Sequence, residues 1–141
     1  MEFKNFPCRI CSGKLMPKLN ELVCDNCGFI EHPPKETNFL ISCQEVKKKI
    51  DNKENIIILD VREKWEYSTV KINNSISILM RELKNKINEL DKNKQIIVVC
   101  HRGNRASYTT RYLIQNSFNA KCLEGGIDAW AAKIDNSMKR Y

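Results

Sequence analysis

The 141-residue sequence contains no apolar run near the roughly 18 residues that a membrane-spanning helix needs. Its opening, MEFKNFPCRI, has neither the apolar stretch of a leader peptide nor a small-residue cleavage site, so a cytoplasmic location is expected. It also lacks the even cysteine count of a disulfide framework: there are seven cysteines, and thiols in a reducing compartment stay mostly free. No stripe of basic residues interleaved with aromatics is present, which disfavours nucleic acid as a ligand. The lysines lie in scattered segments, and the run Lys47, Lys48 and Lys49 reads as a solvated helix face. The length excludes two full cores but leaves room for one domain and a small appendage.

What is present is a folded composition, 42% hydrophobic and 29% charged. The net charge of +7 is unevenly placed. Residues 1–36 hold five Lys/Arg and five Asp/Glu, whereas 37–141 hold nineteen and twelve. The second stretch therefore suits an anionic substrate or an acidic partner protein.

The cysteines divide in the same way. Cys8, Cys11, Cys24 and Cys27 form two C-x2-C pairs separated by twelve residues, while Cys43, Cys100 and Cys122 are scattered. Each pair can grip a metal ion from a tight turn, and four thiolates complete a tetrahedral shell for structural zinc. Twelve residues suffice for a hairpin that brings the pairs together, and Gly13 and Gly28 suit the turns. A rubredoxin-type iron site shares the pair spacing and stays open as the alternative. His32 is surplus to a complete shell and reads as a surface residue. We expect a zinc-ribbon-like motif over 1–30, a proline-stiffened linker over 31–37 and a second unit over 38–141.

That second unit alternates helix and strand signals. Ser42 and Glu45 have the spacing of a capping box. NIIILDV and QIIVV are continuous β-branched runs, as in strands buried on both faces. SILMRELKNKINEL places Leu79, Leu83, Ile87 and Leu90 at helical spacing, predicting one helix there. A helix over RASYTTRYLIQNSF, a short strand in AKCLEGG and a closing helix in IDAWAAKI follow. The pattern is that of an α/β fold with a largely parallel sheet flanked by helices. Ligands of such sheets bind off the carboxyl ends of strands, where Cys100, Asp60 and Arg62 all fall.

The stretch VVCHRGNRA is the most informative. A cysteine at a strand's end is followed by His101, Arg102, Gly103, Asn104 and Arg105, and then by a helix. Helix N-termini present unpaired amides, and nearby cations add to their field, so an anionic sulfur is favoured there. Asp60 is expected to support this loop, and Arg62 either to touch substrate or to brace the loop. Cys122 reads as a packing thiol, with a resolving role the less favoured alternative, and Cys43, which follows a helix cap, reads as half-buried. Trp65 and Trp130 read as core or rim aromatics.

DVREKWEY, CHRGNR and EGGIDAW, in this order and spacing, resemble the signatures of the rhodanese (sulfurtransferase) domain over about residues 38–134. The resemblance implies that Cys100 accepts a sulfane sulfur as a persulfide and passes it to a thiophilic acceptor. His101 to Arg105, with Arg62, would then bind the donor, which would be thiosulfate or a protein persulfide. No organic cofactor is implied, and a thiol or sulfur-carrier protein would be the acceptor. The zinc ribbon would contact a protein partner. One departure stands out: where the family has a G-H-I-P-G-A-like stretch, this sequence reads VKINNS at 70–75, so that turn is expected to differ while the fold survives. Two other chemistries remain open. Phosphatase and arsenate reductase loops read C-x5-R, one residue longer than here, and a wider ring suits a tetrahedral oxyanion better than a single sulfur. A non-catalytic persulfide carrier or docking module would share the same reactive cysteine.

Overall fold

The computed structural model describes residues 7–18, 21–31 and 39–141. The N-terminal part is a three-stranded antiparallel sheet, β1 (Leu15–Lys18), β2 (Glu21–Cys24) and β3 (Ile30–Glu31). β1 and β2 pair antiparallel with Leu15 facing Cys24, which returns the second C-x2-C pair to the first. His32 and the expected linker lie outside the described residues, apart from Glu31, which ends β3 opposite Leu22.

The remainder is built on an all-parallel sheet of five strands: β4 (Leu40–Ile41), β5 (Ile56–Asp60), β6 (Ile76–Ser77), β7 (Gln95–Val99) and β8 (Ala120–Leu123). Their order is β4-β8-β7-β5-β6, with β7 and β5 at the centre. Alternation along the β-branched runs splits the side chains between two faces. Ile58, Ile97 and Val99 pack with Val46 of α1 (Cys43–Asp51) and with Ile127 and Trp130 of α5 (Gly126–Lys133). Leu59, Ile96 and Val98 pack on the other face with Ala106, Tyr112 and Leu113 of α4 (Asn104–Gln115). The central strands are buried on both sides for this reason. A short helix, α2 (Lys64–Thr69), follows β5.

Ser42 caps α1 as expected, its hydroxyl accepting the Glu45 N–H at 3.1 Å. The single helix expected over 77–90 is broken instead. A 3-10 turn at Met80–Glu82 leads into α3 (Leu83–Lys86) and a second 3-10 turn at Ile87–Glu89. Leu79, Leu83 and Leu90 are still buried. The three- and four-residue spacing of Leu79, Leu83, Ile87 and Leu90 suits a wall of short turns as well as one helix, and Asn85 and Asn88 weaken the helical alternative. The departing stretch 70–75 closes by its own bonds, Ser75 Oγ to the Ile72 carbonyl at 2.6 Å and the Tyr67 hydroxyl to the Ser75 carbonyl at 2.7 Å. Ile76 then enters the sheet beside Leu59.

The N-terminal sheet rests on the α4 face of the larger one. Phe29, fully buried, meets the Tyr112 ring edge-on at 6.3 Å. Gln115 brackets the same strand end, donating to the Gly28 carbonyl at 2.6 Å and accepting from the Ile30 N–H at 3.1 Å. Cys8, Ile10 and Leu15 therefore share one apolar cluster with Leu113 and Val98. Among the described residues no helix is long and apolar enough to cross a membrane.

Candidate active site and metal centre

β7 ends at Val99, and the chain turns through residues 101–103 before α4 begins at Asn104. Gly103 makes this possible by adopting left-handed backbone, φ +111°. The turn directs the Gly103 N–H at the Cys100 Sγ at 3.0 Å, and the first turn of α4 adds the Ala106 N–H at 3.3 Å. From below, the start of α5 holds the loop's backbone: the Ile127 N–H donates to the Cys100 carbonyl at 2.9 Å and the Asp128 N–H to the His101 carbonyl at 3.0 Å. So close an approach needs Gly126, where a Cβ would stand 2.5 Å from each of those two oxygens.

Arg105, one of the loop's two arginines, is paired. Arg105 makes a two-pronged contact with Glu66, at 2.7 and 2.9 Å. Arg105 is the main reason that the Glu66 carboxyl is held down to about 2 despite being buried, helped by the Glu63 N–H and the Tyr141 hydroxyl. Arg62 lies inside the fold. Its guanidinium is fully buried and binds Asp60 at 2.7 Å, the Val70 carbonyl at 2.6 Å, the Glu66 carbonyl at 3.3 Å and the Tyr141 hydroxyl at 2.8 Å. All five guanidinium donors are thus engaged, and among the described residues the Asp60 carboxylate is bonded to Arg62. Arg102 and Asn104 are exposed, and His101 is half-buried under the Tyr141 ring.

Sequence pattern alone does not single out Glu66 or Tyr141. Glu66 lies within DVREKWEY, but its partner Arg105 is 39 residues away, and nothing local announces the pair. Trp65 is a rim residue, 62% exposed and edge-on to Tyr141, whereas Trp130 is core. Cys122 sits beneath the loop with its thiol near the Gly103 carbonyl at 3.7 Å. Burial, with the charge of Cys100 adding, pushes its thiol up to about 12, which suits a packed donor and disfavours a resolving nucleophile. Cys43 is more buried than its position after a cap suggests, and burial raises its thiol too.

The other four cysteines converge at the N-terminal hairpin. Their sulfurs lie within 4.8 Å of one another, with Cys8 and Cys27 at 3.7 Å and Cys11 and Cys24 at 3.5 Å. Metal–sulfur bonds of about 2.3 Å in a tetrahedron put sulfurs about 3.8 Å apart, so the set can hold a metal ion. The N–H groups of Ile10, Gly13 and Asn26 point at Cys8, Cys11 and Cys24, each at 3.4 Å, as suits thiolate ligands. Gly13 has no space for a side chain: a Cβ would lie 2.8 Å from the Asn26 Cβ and 3.0 Å from the Cys24 sulfur.

With this geometry in hand, the relatives are informative. The rhodanese-like domain family matches residues 42–133. The chain belongs to that family. Over its full length it is 31% identical to the adenylyltransferase and sulfurtransferase UBA4 of Debaryomyces hansenii, covering 36% of that protein. It is 33% identical to YtwF of Bacillus subtilis, a protein named provisionally as a sulfurtransferase, over 64% of this chain and 87% of that one. Among solved structures, a rhodanese-related protein from Thermoplasma volcanium superposes with a TM-score of 0.63 at 33% identity, covering 67% of this chain and 92% of that one. The chain spans 25% and 36% of the length of two of the adenylyltransferase and sulfurtransferase relatives that it matches.

Proposed function

We propose that this protein is a sulfurtransferase that carries a sulfane sulfur on Cys100. The observation that supports this most is the pair of amide N–H groups on the Cys100 sulfur, Gly103 at 3.0 Å within the four residues between Cys100 and Arg105 and Ala106 at 3.3 Å directly after them. A ring that small is sized for one sulfur atom and offers donors where its negative charge sits. In the first half-reaction the Cys100 thiolate attacks the outer sulfur of thiosulfate, or of a protein persulfide. A new S–S bond forms, the donor's S–S bond breaks, and sulfite or a thiolate leaves. In the second, the thiolate of a small thiol or of a sulfur-carrier protein's cysteine, or cyanide, attacks the terminal sulfur, the persulfide S–S bond breaks, and Cys100 departs as the thiolate. Arg102, the exposed cation of the loop, would attract an anionic donor, with the backbone from His101 to Arg105 lining the sulfur.

In this reading the N-terminal four-cysteine set binds zinc as a structural ion, since four thiolates leave no open coordination position for chemistry. The division into 1–30, 31–37 and 38–141, and the use of the ribbon as a protein contact, belong to the same proposal. So does a cytoplasmic location, where a reactive thiol stays reduced. The test is intact-protein mass spectrometry after incubation with thiosulfate or with a persulfidated desulfurase. Wild type should gain one sulfur that cyanide or dithiothreitol removes, and Cys100→Ser should gain none. A wild type that gains no sulfur from either donor would sink the proposal.

A further inference from the structure

The segment after α5 runs back across the Cys100 loop. Arg140 anchors it to α5 through Asp128, at 3.0 and 3.1 Å, and Tyr141 then meets the loop in two ways. Its ring lies flat on His101, with centroids 4.1 Å apart and planes 10° from parallel. Its hydroxyl accepts from Arg62 at 2.8 Å and donates to the Glu66 carboxylate at 2.9 Å. Glu66 is the same carboxylate that grips Arg105 with two bonds. His101 is the residue directly after the nucleophile, and Arg105 closes the loop.

We propose that Tyr141 is a positioning residue that clamps both ends of the Cys100 loop at once, His101 by stacking and Arg105 through Glu66. Gly103 lies between these ends and Ala106 directly follows the second, so the two amides on the Cys100 sulfur are held only as well as this stretch of backbone. Among the described residues the buried His101 Nε2 has no hydrogen-bond partner, so the aromatic stack is left to set the plane of that ring. Burial raises the Tyr141 phenol above its ordinary range, which keeps the hydroxyl protonated and donating at neutral pH. A preorganised donor pair acts without rearrangement when charge develops on sulfur, so loosening it should slow the chemical step more than it weakens binding.

The activity arm of this inference rests on the sulfur-transfer reading, and its geometric arm does not. The experiment compares wild type, Tyr141→Phe and Tyr141→Ala by amide hydrogen exchange and by thiosulfate–cyanide turnover. In Tyr141→Ala, exchange at Gly103 and Ala106 should rise about tenfold while the β7 amides keep their protection. Its kcat should fall about tenfold with KM for thiosulfate within about twofold of wild type. Tyr141→Phe keeps the ring and should recover most of both losses, within about threefold of wild type. A role in overall stability alone would instead expose the whole sheet to exchange and leave kcat unchanged for the folded fraction. Wild-type exchange at Gly103 and Ala106 in Tyr141→Ala, or a rise in its turnover, would overturn the proposal. If the wild type itself turns over no thiosulfate, the exchange measurement alone decides it.

Discussion

Two regions of this molecule aim backbone amides at cysteine sulfur. In the N-terminal cluster Ile10, Gly13 and Asn26 donate to three different sulfurs, each at 3.4 Å; in the loop after β7, Gly103 and Ala106 converge on one, at 3.0 and 3.3 Å. Amides stabilise a thiolate in either setting, so their presence does not separate a structural thiol from a reactive one. The number of neighbouring sulfurs does. Four within 4.8 Å can close on a metal ion and leave no sulfur unshared, whereas Cys100 has its own sulfur to offer. A second contrast is electrostatic. The loop is flanked by the Arg105–Glu66 and Arg62–Asp60 pairs, while the cluster is set among Ile10, Leu15, Phe29 and other apolar side chains.

The largest expected effects test whether the two sites are independent. Cys100→Ser should abolish the sulfur gain and leave the metal content untouched, and Cys24→Ser should do the reverse. Metal analysis and intact mass on the same preparations check both. Loss of both properties in either variant would break the comparison.

Phe29→Ala probes the seam between the regions. Removing a fully buried aromatic that packs on Tyr112 should cost about 3–5 kcal/mol in urea unfolding. A cost under about 1 kcal/mol would mean that the ribbon is tethered without sharing the core.

Glu66→Gln sharpens the electrostatic contrast and should cost about 2–3 kcal/mol at neutral pH. The Glu66 carboxyl titrates near 4.3 in an unfolded chain and is held, chiefly by Arg105, to about 2 in the fold. Its stabilisation is therefore complete above about pH 4.3 and is lost as pH falls toward 2. Unfolding free energies across that range should decline more steeply for wild type than for the variant.

The smallest effect is expected where a polar contact crosses the seam in solvent. Lys84→Ala removes the 2.7 Å bond to Asn26 and should change stability by no more than about 0.5 kcal/mol, by the same urea titration.

Much of this architecture was legible because its signals are local. The runs at β5 and β7 demand burial on both faces, the Ser42 cap opens α1, and two C-x2-C pairs around a hairpin-length spacer predict convergence. The Cys100 loop was readable because cysteine, glycine and helix start lie within a few residues. The segment 77–90 was misread because the same apolar spacing serves a helix and a series of short turns, and only its packing against the sheet chooses. β4 was too short to register as a strand. Glu66 and Tyr141 were invisible for another reason: each gains its meaning from partners 39 or more residues distant. Arg62 could be placed near the loop from its strand end, but its burial among four acceptors needed the folded chain.

The meeting of α5 with the loop has a consequence for how this chain can change. Gly126 lies 2.5 Å, at its missing Cβ, from the carbonyls of Cys100 and His101, so substitution there disturbs the backbone of Cys100 itself. Arg102 and Asn104 carry no such constraint, since both side chains face solvent. Mutational drift and laboratory diversification alike are therefore channelled toward those two positions. They form an outer edge that can be rewritten while the frame around the Cys100 sulfur is inherited unchanged.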